Sequence, residues 1–301
     1  MLNTLLRTPG RRLRWLTAVG AVFALGAGGA EAAPAMWRLS DSDSTLYLFG
    51  TVHLMSADVE WRTPEFETAL KDVDTIVLEA DVTSPEALKR MGEVVGELAI
   101  NPPGVTLSSL LGPERAARVV ELAESLGLPS AGLEGFRPWF ALTLVSIAAM
   151  QKEGHHATLG ADQQVLDQAL GQGHAVDYFE TAEEQLLILA GLDDEVISRV
   201  FEASLAEYED FGEHMTHMLD VWRMGDLAGL EAMANKSVQK VAPAMYEAMF
   251  VARNRAWIER IEEMMAGEGD YFIAVGAGHF VGEDGLVDLL EERGHTLERI
   301  Q

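Results

Sequence analysis

The chain has 301 residues, 48% of them hydrophobic, no cysteine and a formal net charge of −26. That length and apolar content suit one large folded domain or two small ones and argue against disorder. The acidity excludes nucleic acid and anionic lipid as natural partners. The missing thiols exclude disulfides, thiolate metal sites and cysteine nucleophiles, so any metal must be held by histidine, carboxylate, amide or backbone groups.

The chain opens with a basic stretch containing Arg7, Arg11, Arg12 and Arg14. An apolar run from Trp15 to about Ala27 follows, and then Ala30-Glu31-Ala32 as an Ala-x-Ala cleavage site. Residues 1–32 are therefore expected to be a cleaved signal peptide, and the protein to be exported to the periplasm or cell surface. Arg11-Arg12 leaves the twin-arginine route open beside the general one. The apolar run is short for a span of about 20 residues, so no stable membrane span is expected after removal. Residues 33–301 are expected to form a single domain.

That domain begins with a hairpin: Met36–Leu39, a polar turn over 40–44, and Thr45–Phe49 running into Gly50-Thr51-Val52-His53. Thr63-Pro64 starts a helix through Lys71. Asp74–Glu79 is a short apolar run with an acidic end, the pattern of a buried strand, and the order strand–helix–strand predicts a parallel crossover. Residues 84–150 read as three helices, opened by Ser84-Pro85, Gly112-Pro113 and Arg137-Pro138. Another helix starts at Gly160-Ala161-Asp162. Ala175–Phe179 is a short strand ending at Glu180, and Thr181 with Glu184 forms a Thr-x-x-Glu capping box. Helix with acidic faces is expected from Glu183 to about Ser237, and one long helix from Ala242 to Ala266. Asp270–Val275 is a second buried-strand run, ending in Gly276-Ala277-Gly278-His279. A helix over 285–293 and a strand over 296–300 close the chain. The expected fold is α/β: a mixed sheet from the N- and C-terminal segments, flanked by helices, with a helical insertion or cap at about 84–240.

In such sheets ligands bind beyond the carboxyl ends of the strands, and His53, Glu79, Glu180 and His279 all stand there. Two histidines with one or two carboxylates make an open site for a divalent metal, which lowers the pKa of a bound water. A carboxylate not committed to the metal can serve as general base. Asp81, two residues past Glu79, shares its face if the strand continues that far, as a further ligand or a supporting partner.

Several segments together resemble the TraB/PrgY/GumN family. They are Leu48–Leu54, Val77–Asp81, Val275–Phe280 with Gly285–Leu290, Arg137-Pro138-Trp139, Leu159–Asp162, Glu180–Gln185 and Arg253–Trp257. The resemblance runs over roughly residues 36 to 300. It implies an α/β fold similar to that of erythromycin-esterase and ChaN-like proteins. The family includes the Tiki metalloproteases, which depend on two Gly-x-x-His motifs and a glutamate, here matched by His53, His279 and Glu79. It also implies that Arg253 and Asn254 reach the same cleft or tie helix to sheet, and that Glu180 is a site carboxylate or a cap.

The function expected is metal-dependent hydrolysis of a peptide bond, a peptidase-like activity, with a peptide or small-molecule substrate as partner and manganese, cobalt or zinc as cofactor. Glu79, Arg253, Asn254 and Glu180 would serve the chemistry. Peptide or signal binding without turnover, and metal-free ester hydrolysis, remain alternatives, and a homodimer stays open. Other candidates read as bystanders. Glu213-His214 and His217 have the wrong order for a zinc helix. His155-His156 reads as solvated loop, and Asp288 and His295 as surface. Met215, Met218, Met245 and Met249 read as packing.

Overall fold

The computed structural model describes residues 32–206 and 211–301. The leader expected over 1–32 lies, apart from its last residue, outside the described residues.

The elements follow in chain order. β1 (Met36–Ser40) and β2 (Ser44–Thr51) form the expected hairpin, then come α1 (Pro64–Lys71), β3 (Thr75–Asp81) and α2 (Pro85–Leu98). Next are α3 (Leu107–Leu111), α4 (Pro113–Ser125), α5 (Pro138–Lys152), α6 (Ala161–Gln172), β4 (Ala175–Thr181) and α7 (Ala182–Ala190). α8 (Asp194–Ala206), α9 (Phe211–Arg223), α10 (Leu227–Leu230), α11 (Ser237–Val241), α12 (Pro243–Tyr246) and α13 (Ala252–Met265) lead to β5 (Gly269–Gly276), α14 (Leu286–Glu292) and β6 (Glu298–Arg299). The capping calculus holds where it was made. The Thr63 and Ser84 side chains accept from Phe66 N and Ala87 N, and Thr181 and Glu184 form a reciprocal box. The long helix expected from Ala242 is α12 and α13 joined by a wider π turn at Glu247–Val251, and a second π turn covers Glu231–Lys236.

Six strands make one mixed sheet in the order β4-β3-β5-β2-β1-β6. β4, β3, β5 and β2 are parallel; at one edge β1 pairs antiparallel with β2, and β6 antiparallel with β1. The β2–α1–β3 crossover exists, but β5 lies between its strands and pairs with both. The final strand shrinks to two residues, opposite Trp37 and Arg38. The expected helical middle is interrupted by β4, an edge strand of the sheet, and by α6, which packs on it.

Alternation along the strands sorts the core into two layers. Phe49, Ile76, Leu78, Phe272 and Ala274 face α1, α6, Trp61 and Trp222. Leu46, Leu48, Val77, Ile273 and Val275 face α13 and α14 through Trp257, Ile258, Ile261 and Leu286. Both faces are covered, so the central strands carry unbroken apolar runs. A third apolar cluster holds the helical middle together, with Leu107, Val119, Trp139, Val145 and Phe201 at its centre. Among the described residues no helix is long and apolar enough to cross a membrane.

A candidate active site at the carboxyl ends of the parallel strands

Because β2, β3, β4 and β5 are parallel, their carboxyl ends share one edge of the sheet, and β5 sets the two Gly-x-x-His motifs side by side. Gly50 pairs with Val275 and Thr51 with Gly276, so the chains leave the sheet together toward His53 and His279. Glu79 lies on β3, on the other side of β5.

Glu79 is the hub. Its Oε1 stands 3.8 Å from His53 Nε2 and 3.8 Å from His279 Nε2, and accepts the Gly276 N–H at 2.7 Å. Its Oε2 accepts from Arg253 at 2.7 Å and from Gln185 at 3.1 Å. Gly276 lies tight against the cluster: a Cβ at that position would stand 3.1 Å from Glu79 Oε1, so a side chain there would press on the carboxylate, and 3.5 Å from His53 Nε2. The glycines before the histidines do not supply left-handed turns; they permit close approach.

Each imidazole is tied back through Nδ1. His279 Nδ1 lies 2.6 Å from Asn254 Oδ1, while Asn254 Nδ2 donates to the carbonyls of His279 and Asp284 at 3.2 and 2.7 Å. With that amide so oriented, Oδ1 is the acceptor, His279 carries its proton on Nδ1, and Nε2 presents a lone pair. His53 Nδ1 meets Asp162 Oδ2 at 3.0 Å. Asp162 opens α6, and Gly160 brings that helix against the His53 backbone: a Cβ there would stand 2.4 Å from the His53 carbonyl oxygen.

Arg253, from the first turn of α13, crosses beneath the cluster. Nε donates to Glu180 at 2.8 Å, NH2 to Glu79 and Glu180, and NH1 to the Met249 carbonyl and to His279 Nε2 at 3.0 and 3.1 Å. The Met249 carbonyl lies in the π turn. All five guanidinium N–H groups are engaged. Glu180 also accepts from Trp257 Nε1 at 2.8 Å, and Arg253 stacks over the Trp257 ring.

The charges follow from these contacts. Burial opposes ionisation of Glu79, yet the charges of His53, of His279 when protonated, and of Arg253, with the Gly276 N–H, bring it down to about 2. Burial, reinforced by the nearby Arg253, pushes His279 down to about 3, keeping it neutral. At His53 desolvation is outweighed by the Asp162 hydrogen bond and by the Glu79 and Asp162 charges, and the ring rises to about 9. His53 is also the open member of the set, its side chain 52% exposed against 4% for His279.

His53, Glu79, Glu180, Arg253, Asn254 and His279 therefore lie in one connected network. Glu180 is a partner of Arg253, and the cap of α7 is Thr181. Asn254 ties helix to sheet and orients His279 at once. Asp81 is a correction. The strand does reach it, but its carboxylate accepts the N–H groups of Thr83 and Ser84, both at 3.0 Å, and shapes the turn into α2. His155 is a second correction: only 4% exposed, it is buried beneath the loop after β2, where Met55 pairs with His156. His214 and His217 are exposed. Asp162, Gln185 and Trp257 are members that the strand-end pattern does not reach. The short Gly-Ala-Asp helix start was the visible signal for the first.

An apolar cavity of about 420 Å³ opens beside the cluster. Its walls come from α5, α7, α9 and the π turns, and include Met150, Met215, Met218, Met233 and Met249. A smaller, more polar one of about 220 Å³ lies beyond His53, Glu79 and Gln185, which line both.

The donor set suits a divalent ion in kind: two imidazole nitrogens with their far nitrogens hydrogen-bonded, and a carboxylate oxygen between them. Ligands about 2.1 Å from an ion stand roughly 3.0–3.4 Å apart, so the 3.8 Å separations need only slight closure. Among the described residues no three such side chains are already drawn to coordination distance. Thr51 Oγ1 and Asp162 Oδ1 are buried beside the cluster without a hydrogen-bond partner. An ion on His279 Nε2 has to displace the Arg253 NH1 contact.

Fold and site define an α/β protein with a histidine–glutamate cluster at the carboxyl edge of a parallel sheet, roofed by helices. Residues 35–299 match the TraB/PrgY/gumN family, and the chain belongs to it. It is 24% identical over 245 residues to uncharacterized protein YbaP of Escherichia coli (strain K12), covering 81% of this chain and 87% of that protein. A YbaP of Shigella flexneri matches equally. A metalloprotease TIKI homolog of Nematostella vectensis is 26% identical over 76 residues, 25% of this chain and 16% of its own length.

Proposed function

We propose that this protein is a metal-assisted hydrolase of amide bonds, exported to the periplasm or cell surface, with His53, His279 and Glu79 holding a divalent ion. One observation carries the reading: both imidazoles are tied back at Nδ1 and bring Nε2 to 3.8 Å from the same Glu79 oxygen. The likeness to a metalloprotease homolog supports it over a quarter of the chain. Fold alone fixes no reaction, so the weight rests on the site.

A bound manganese, cobalt or zinc ion supplies Lewis acidity and lowers the pKa of a water it holds. The protein's own groups do the rest. Glu79, ionised at neutral pH, is the acceptor for a water proton, and Gln185 and Arg253 fix its second oxygen. Glu79 then passes that proton to the leaving amine, which departs on the half-exposed His53 side of the site. The Arg253 NH1 group on His279 is its one donor not held by a carboxylate or a backbone carbonyl. It is the donor that can move to a developing oxyanion.

A second reading, binding of a peptide or signal without turnover, is favoured by one specific feature. Every oxygen of Glu79 and every N–H of Arg253 already has a partner within the protein, as in a cluster that closes on itself. Metal content separates the two. Mass spectrometry on tag-free protein is expected to find near-stoichiometric metal, lost in His53→Ala and His279→Ala while both stay folded. Absence of metal in the parent after incubation with manganese, cobalt or zinc refutes the hydrolase proposed here. Activity that survives a chelator points to a metal-free esterase.

A further inference from the structure

The two cavities meet at His53, Glu79 and Gln185 and differ in character. On the side toward the helices, the polar atoms belong to the cluster and the adjoining strand ends, and the remaining wall is methionine, leucine, isoleucine and phenylalanine. On the other side Thr83, Asp162 and Gln163 join the lining beside apolar groups such as Leu78, Val82 and Leu166, so that side has polar partners to offer as well. A peptide main chain laid into the apolar side would leave its N–H and C=O groups without partners, which is costly. An unbranched hydrocarbon has none to satisfy. At roughly 30 Å³ for each water-sized group, 420 Å³ holds on the order of a dozen such groups, more than any single apolar side chain. Met150, Met218, Met233 and Met249 are partly buried there, and their unbranched thioethers let the wall adapt to a flexible chain.

We infer that the substrate is an acyl amide. A medium-length alkyl chain fills the methionine-lined cavity, the carbonyl lies over Glu79 and His53, and a small uncharged or basic head group enters the smaller cavity beside Asp162, Gln163 and Thr83. This rests on the hydrolase reading. In the reaction the oxygen of water bonds to the acyl carbon, the C–N bond breaks, and the nitrogen leaves as an amine with a proton from that water. The products are a fatty carboxylate and the amine.

The test uses binding, so that it stands apart from catalysis. N-acetyl-, N-octanoyl- and N-dodecanoylglycinamide are titrated calorimetrically into the parent and into His53→Ala, which retains the apolar wall. Affinity is expected to rise by about fourfold per added methylene until the cavity is filled, in both proteins. It should fall at least tenfold for the dodecanoyl compound in Met218→Lys and in Ile188→Trp, two changes on different helices. Equal affinity for the acetyl and dodecanoyl compounds overturns the inference, as does unchanged dodecanoyl binding in both wall variants. Tighter binding of N-acetyl-Leu-Leu-amide than of the dodecanoyl compound also overturns it, in favour of a peptide. If the parent holds no metal and chain-length dependence persists, the hydrolase reading falls and the acyl site stands.

Discussion

Replacing Arg253 with Met removes a buried cation from between two buried carboxylates. Glu79 and Glu180 are 11% and 12% exposed, and Arg253 is 8% exposed. The methionine fills much the same space, so the loss is electrostatic rather than a cavity. Glu79 keeps Gln185 and the Gly276 N–H, and Glu180 keeps Trp257 Nε1. Breaking a buried pair by deleting one partner costs about 3–5 kcal/mol, mostly the penalty on the charge left behind. Two charges are left here, so the upper half of that range is expected for Arg253→Met, measured by urea unfolding at neutral pH in the presence of a chelator. Arg253→Met with Glu180→Gln removes one stranded charge and should recover about 1–3 kcal/mol, the scale of a charged group left unpaired. A loss below about 1 kcal/mol for Arg253→Met, or no recovery in the double variant, would refute the reasoning and show that water already solvates these carboxylates.

Two further perturbations test the scaffold around the histidines. Asn254→Leu removes the acceptor of His279 Nδ1 and two donors to buried carbonyls. On the proposed metal-site reading it should weaken metal binding ten- to a hundredfold by competition with a chromophoric chelator, the usual cost of losing a partner behind a ligand; unchanged affinity would mean that His279 is positioned by its backbone alone. Gly160→Ala pushes a methyl into the His53 carbonyl. It should cost about 1–3 kcal/mol in thermal or urea unfolding, and wild-type stability would show that α6 shifts freely.

The parts of the fold that were legible were those governed by local rules. The Gly-x-x-His strand ends, the Pro-opened helices and the Thr181 box follow from turn space, fixed φ and capping, which act over a few residues. The place of β5 between β2 and β3 follows from no local rule, because any of several strand orders would bury the same apolar runs. The same division holds for the site. His53, Glu79 and His279 stand at strand ends and could be read there. Asp162, Gln185 and Trp257 belong through contacts between elements far apart in the chain. Asp81 had the right face but was captured by the nearest backbone donors, Thr83 and Ser84. His155 lay in a sequence that looks like a solvated turn, yet it is buried, at the floor of a cleft it shares with α9 and the 56–60 loop, a long-range arrangement that composition does not encode.

The insertion of β5 between its older neighbours also sets an order of events. β2 and β3 are made early and stand apart until β5 arrives from near the end of the chain, pairing Ser44 with Gly269 and Thr75 with Tyr271. Such long-range pairing is slow to form. Until it happens Glu79 has no His279 beside it, and Gly276 cannot donate to its carboxylate. A nascent or partly folded chain thus carries His53 and Glu79 without their third partner, and the cluster is complete only when the sheet closes.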